Sequence, residues 1–171
     1  GLNAFSLQAQ NEPMVGGEKM YPKKNIVENA INSKDHSTLV ATVKAAGLVE
    51  TLASEGPFTV FAPTNAAFDK LPEGTVSTLL KPENKSKLAS VLTYHVISGT
   101  LDQKDLKKAI KKGNGIATLK TVNGGVLEAQ MNGEYNILLT DENGNMSNIS
   151  LFNIYQSNGV IHVIDKVLLP K

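Results

Sequence analysis

Residues 58–72 read FTVFAPTNAAFDKLP, and the period of the chain changes in the middle of that stretch. Phe58, Thr59, Val60, Phe61 and Ala62 are β-prone residues bounded by Pro57 and Pro63, which describes a buried strand that stops at the second proline. Thr64 then offers a hydroxyl to a helix start. Ala67, Phe68 and Leu71 point inward, and Pro72 ends the segment. The short helix therefore carries Phe68 back onto the strand it has just left.

Upstream the pattern is helical. Ile26, Val27, Ala30 and Ile31 form one stripe, and a second helix places Leu39, Val40, Val43 and Ala46 inward. Ser37 is its expected cap and Gly47 its left-handed stop. Residues 1–22 contain Pro13, Gly16, Gly17 and Pro22 with little apolar periodicity. They read as a flexible linker or wrapping arm, and removal of residues 1–20 is expected to leave the fold intact with at most a small loss from contacts near Met20 and Tyr21. Within it LNAFSLQAQN, Leu2 to Asn11, reads either as the tail of a secretory signal, implying export, or as a frayed terminus. The folded domain is expected over residues 23–171.

Downstream, Leu88, Val91 and Leu92 mark a helix, and Tyr94 to Ser98 switch to strand character. Asp102 and Asp105 read as a capping arrangement for a helix with Leu106, Ala109 and Ile110 inward. Its Lys104, Lys107, Lys108, Lys111 and Lys112 read as a solvated face rather than an anion site. After Gly115 come strands and tight turns, at Asn123-Gly124-Gly125, at 141–145 and at Asn158-Gly159. Helices gathered first and antiparallel strands last give an α+β class and disfavour a doubly wound nucleotide fold.

The chain has 171 residues, enough for one core and too few for two. With 41% hydrophobic and 19% charged residues it is globular, and no apolar run is long enough for a membrane span. All 17 basic residues are lysine, the net charge is +1 and tryptophan is absent, which argues against nucleic acid as a partner. Cysteine is absent too, which excludes a disulfide framework and a thiol nucleophile.

No phosphate-binding glycine loop, GxSxG elbow or HExxH pair is present. His36, His95 and His162 are far apart in sequence, so no metal site is expected. In the 141–145 loop the glycine falls too early for a calcium loop, and Phe152 stands where the bidentate glutamate belongs. The expectation is a protein without catalysis, cofactor or metal. His162, on a strand face with Val160 and Ile164, reads as a buried imidazole bonded to backbone.

Three blocks carry a more specific signal. FTVFAPTNAAFDKLP at 58–72, LTYHVISGTL at 92–101 and NGVIHVIDKVLLP at 158–170 resemble, in order and spacing, the signature blocks of the fasciclin domain family. The resemblance covers about residues 23–171. It implies helices packed on a wedge of two mainly antiparallel β-sheets, in a single-domain module of the bacterial secreted type. It also implies a secreted, extracellular or periplasmic protein for cell adhesion or matrix attachment, a monomer or weak homo-oligomer. Its partner would be a cell-surface or matrix protein or a polysaccharide. Animal members bind integrins through a Tyr-His pair and an Asp-Ile pair, which fall here on Tyr94 and His95 and on Asn153 and Ile154. Asn153 departs from the pattern, since a neutral amide replaces the carboxylate that would complete a hard cation's coordination. Tyr94 is expected to be buried and His95 to bond local backbone or the Thr64 helix start. The alternative function is an extracytoplasmic carrier or sensor holding a small apolar ligand between helices and sheet.

Overall fold

The computed structural model describes residues 12–171. A small hairpin, β1 (Met14–Val15) and β2 (Glu18–Lys19), precedes α1 (Ile26–Asn32). That helix starts at a capping box: the Asn25 side chain accepts from the Glu28 N–H, and the Glu28 carboxylate accepts from the Asn25 N–H. A 3-10 turn, Lys34–His36, leads into α2 (Ser37–Ala45), and Gly47 at φ +71 reverses the chain into α3 (Val49–Ala53). Ser37 does not cap α2. Asn65, 27 residues beyond Thr38, does so instead, its Oδ1 accepting the Thr38 N–H at 2.9 Å.

Strand β3 (Phe58–Pro63) and α4 (Asn65–Asp69) form as the opening stretch dictates, with the Thr64 hydroxyl accepting the Ala67 N–H at 3.1 Å. Helices α5 (Thr75–Leu79) and α6 (Lys85–Thr93) follow, then β4 (Val96–Ser98) and α7 (Gln103–Lys112). Tyr94 and His95 close α6 rather than opening a strand, because Tyr94 keeps helical dihedrals. The Asp102–Asp105 capping box is present at α7, whose Leu106 and Ile110 are buried.

The remaining strands are β5 (Ala117–Lys120), β6 (Val126–Asn132), β7 (Asn136–Thr140), β8 (Met146–Gln156) and β9 (Gly159–Ile164). The large sheet runs β4-β3-β9-β8-β7-β6-β5, antiparallel except for the parallel β3–β9 pair. The wedge arises in β8. Between Ile149 and Leu151, and again between Leu151 and Ile154, β8 advances one residue more than its partner β9, so two bulges bend the strand. Its first half pairs with β7 and its second half with β9, which splits the ladder into the two limbs of an α+β wedge.

Against the single core expected from the length, each limb has its own. Val60, Ala62, Ile161 and Val163 face α1–α6 with Leu39, Leu52 and Leu92, whereas Phe61 and Ile164 face the wedge interior with Leu106, Leu127, Ile137 and Leu139. The two strands approach closely at Phe58 and Gly159, where a Cβ on the glycine would lie 2.0 Å from the Phe58 carbonyl oxygen.

The expected arm behaves differently over its described part. Residues 1–11, including the signal-like segment, lie outside the described residues. Val15 and Met20 are 7% and 2% exposed and belong to the helical core. Met20 N–H donates to the Pro13 carbonyl at 2.8 Å, and the Asn29 amide exchanges two hydrogen bonds with the Tyr21 backbone. Val15 lies two residues past Pro13 and Met20 three past Gly17, and two buried side chains on either side of a glycine turn leave no periodic signal, so pattern reading underestimates this packing.

Candidate functional site

The residues singled out by sequence fall into two groups. Tyr94 and His95 sit at the end of α6. Asn153 and Ile154 sit in the bend of β8.

Tyr94 is fully buried. Its hydroxyl donates to the Val126 carbonyl at 2.6 Å and accepts the Glu142 N–H at 3.1 Å, tying α6 to two separate turns of the β-rich limb. Burial pushes its ionisation up to about 12, the Glu142 N–H opposing and the Glu142 and Asp141 carboxylates adding to the rise. His95 is 2% exposed and its ring meets that of Tyr94 edge-on at 6.3 Å. Leu168 N–H donates to Nε2 at 3.0 Å, which leaves the proton on Nδ1, donated to the Val91 carbonyl at 2.8 Å. The expected local backbone partner is thus correct, but the second partner is the C-terminal segment and not the Thr64 helix start. Burial holds His95 neutral, with its pKa lowered to about 4.

Asn153 occupies left-handed backbone at φ +62, in the second bulge of β8. Its Oδ1 accepts the Gln103 N–H at 2.8 Å, one of the free donors at the start of α7. Its own N–H donates to His162 Nδ1 at 3.1 Å, so the opposite ring nitrogen donates to the Leu101 carbonyl at 2.7 Å. Ile154 is 1% exposed, packed in the helical core. His162 is fully buried between Phe61 and Phe152, with ring centroids 5.8 and 5.6 Å away, and burial lowers its pKa. The backbone-bonded imidazole expected at this position is what the fold contains.

His36 and His95 line the same cavity, and each of the three histidines has its own local partners. His36, buried at the start of α2, meets the Ser33 hydroxyl through Nδ1 at 2.8 Å. Its Nε2 has no hydrogen-bond partner among the described residues, although the Ala62 carbonyl is near enough to oppose the effect of burial. Burial lowers its pKa as well.

Two other polar residues, legible in the sequence only as parts of turns, hold distant segments together. Asp141 is 6% exposed, and its carboxylate accepts the N–H groups of Asn143, Asn145 and Leu169 at 2.9, 2.8 and 2.9 Å. The acidic loop thus clasps its own turn and the C-terminal segment. Asn158 Oδ1 accepts the Ile26 N–H, and its Nδ2 donates to the carbonyls of Leu52 and Ser54. Partners more than 100 residues away cannot be read from spacing.

Comparison with known proteins agrees with this architecture. A family model described as Fasciclin domain matches residues 34–170. Protein sll1483 of Synechocystis sp. is 46% identical over 146 residues, which are 85% of this chain and 73% of that one. Immunogenic protein MPB70 of Mycobacterium bovis is 35% identical over 82% of this chain and 66% of its own. The pig transforming growth factor-beta-induced protein ig-h3 is 40% identical over 78% of this chain, which spans only 17% of that longer protein. Among solved structures, a FAS1 domain pair from the insect cell adhesion molecule Fasciclin I superposes with a TM-score of 0.76 at 20% identity, covering 86% of this chain and 51% of that one. The signature blocks, the bent β8 that makes the wedge and these matches together place the chain in the fasciclin domain family.

Proposed function

We propose that this protein is a non-catalytic module for cell adhesion or surface attachment, working outside the cytoplasm as a secreted, surface-bound or periplasmic protein. The observation that carries the reading is the use made of its reactive groups. The Tyr94 hydroxyl, both ring nitrogens of His95 and of His162, and the Asp141 carboxylate are all engaged by main-chain partners. Groups held this way fix a shape and are not free to move protons on a substrate. Family membership supports the same reading, one structural relative being a FAS1 domain pair from an insect cell adhesion molecule. Among the described residues no helix is long and apolar enough to cross a membrane. The partner in this reading is a cell-surface or matrix protein or a polysaccharide.

Within this proposal Tyr94, His95, Asn153 and Ile154 support adhesion by holding the wedge together rather than by touching the partner. The test measures retention of the purified domain on immobilised cell-surface protein and polysaccharide, alongside the unfolding midpoint, for the native chain and Tyr94→Phe, Tyr94→Ala and His95→Ala. Retention should fall only as stability falls. If His95→Ala abolishes retention with its midpoint unchanged, the pair is a contact site and the structural assignment is wrong. Native protein that is not retained on any such surface would refute the adhesive function itself.

A further inference from the structure

Helix α7 (Gln103–Lys112) buries Leu106 and Ile110, and its five lysines occupy the opposite side. At 3.6 residues per turn Lys104, Lys107, Lys108, Lys111 and Lys112 fall within an arc of about 140°, and they span about 12 Å of the helix axis. Lys104, Lys108, Lys111 and Lys112 are exposed and Lys107 is half-buried. The one carboxylate of the helix, Asp105, is engaged in its own cap, where it accepts the Asp102 N–H at 3.1 Å.

Spacing alone reads these lysines as a solvated face, and the helix dipole accounts for Lys111 and Lys112 in the last turn. It does not account for the others. Lys104 lies in the first turn, where the dipole disfavours a cation. The pairs 104–108, 107–111 and 108–112 set like charges one turn apart, which destabilises a helix. A face that served only solubility would intersperse its signs. An ammonium cluster that the helix itself opposes is complementary to a polyanion outside the fold.

Folding adds an aromatic ring to this face. Tyr135, in the turn between β6 and β7, is 67% exposed, and the Lys107 ammonium lies 5.3 Å from its ring centroid. The Gln103 side-chain amide donates to the Tyr135 carbonyl at 3.0 Å, which fastens the turn to the first residue of α7. Against the five ammoniums the turn sets one exposed carboxylate, Glu134. An exposed ring held beside a row of point charges suits a ligand that combines flat apolar faces with single negative charges. A chain of uronic-acid sugars has that form: each ring offers a C–H face for stacking and one carboxylate for an ammonium. Nucleic acid fits less well, because its phosphates favour the arginine fork that this chain lacks and its bases favour several stacking rings. A bilayer also fits less well, since the apolar stripe of α7 is buried in the wedge core.

We infer that the lysine face of α7, together with Tyr135, is the docking surface for a carboxylated polysaccharide. The inference rests on the adhesive reading above and names its partner class and its surface.

The test measures binding of the purified full chain to polygalacturonate at low and physiological salt, with polyglutamate, dextran, single-stranded DNA and phosphatidylglycerol vesicles as comparisons. Polygalacturonate should bind tightest, and dextran should not bind. Lys104→Gln, Lys108→Gln and Lys111→Gln combined should weaken polygalacturonate binding about tenfold or more. The unfolding midpoint of that variant should not fall, because the exchange relieves like-charge repulsion. Tyr135→Ala should weaken polygalacturonate binding about threefold or more and leave polyglutamate binding unchanged. The same charge change at the exposed Lys81, Lys85 and Lys87 should alter affinity less than about twofold. Equal or tighter binding of polyglutamate, DNA or vesicles, or unchanged affinity in the triple α7 variant, would overturn the inference. Retention on a surface protein or on dextran with none on polygalacturonate would overturn it too and leave the adhesive function standing, whereas no retention on any surface refutes both.

Discussion

Acid should destabilise this protein from about pH 6.5 downward, above the range in which most carboxylates take up protons, because its histidines are held neutral. Consider His95. Protonation would put a second N–H on Nε2, facing the Leu168 N–H that now donates to it, inside a site from which water is excluded. The folded chain therefore resists the proton down to about pH 4, whereas the unfolded chain accepts it near the ordinary 6.5. Between those values the unfolded state binds more protons, so stability rises with pH through the window. It is complete above pH 6.5 and fades as pH falls toward 4. At about 1.4 kcal/mol per pH unit the interval corresponds to about 3 kcal/mol, a large share of a typical domain's 5–15 kcal/mol. His162 and His36 shift in the same direction and add to the loss.

The assay is urea unfolding followed by circular dichroism at pH 7, 6, 5 and 4.5. The native chain should lose about 2–3 kcal/mol across that range from His95 alone. In His95→Gln, whose amide cannot titrate, the variant starts less stable at pH 7 and its loss on acidification should shrink by about that amount. A flat profile for the native chain would refute the reasoning. So would a variant that loses as much as the native chain between pH 7 and 4.5.

Other changes test the remaining supports. Tyr94→Phe leaves the ring in place but strips the Val126 carbonyl and the Glu142 N–H of their partner, and should cost about 1–3 kcal/mol by chemical denaturation. Gly159→Ala should cost about 2 kcal/mol or more and broaden the NMR signals of β3, since its Cβ would overlap the Phe58 carbonyl. Removal of residues 1–20 should lower the thermal midpoint clearly, because it exposes the sites that Val15 and Met20 cover, at about 1.5–3 kcal/mol for each lost side chain.

Sequence reading was reliable where neighbours along the chain decide the outcome. The strand–cap–helix unit at 58–71, the Asp102–Asp105 box and the Gly47 stop all depend on contacts within a few residues, and all are present. It failed where the deciding partner is remote. Ser37 has the chemistry of a cap, yet Asn65 performs the task, because α4 folds against the start of α2. His95 could be expected to bond nearby backbone, but nothing in its surroundings announces Leu168, 73 residues later. The hairpin before α1 was missed for a related reason: two apolar residues separated by a glycine turn make a contact, not a period.

The Asn153 position shows how the same distinction bears on function. By resemblance, adhesive relatives carry an aspartate here, and its replacement by asparagine reads from sequence as loss of a cation-directed contact. In the structure the side-chain oxygen accepts the Gln103 N–H from the start of α7, while the residue's left-handed backbone forms the bulge that bends β8. That role requires an oxygen of the right reach and a residue tolerant of positive φ, which asparagine and aspartate both supply. Aspartate would add a favourable charge at a helix N-terminus, so Asn153→Asp should change stability by less than about 1 kcal/mol. Asn153→Ala loses both the oxygen and the conformational tolerance, and should cost about 2 kcal/mol. If adhesion follows these stabilities, residue 153 serves the wedge. If instead Asn153→Asp gains retention on a cell-surface protein that depends on a divalent cation while its stability is unchanged, the carboxylate itself is a contact group and the structural account of this position fails.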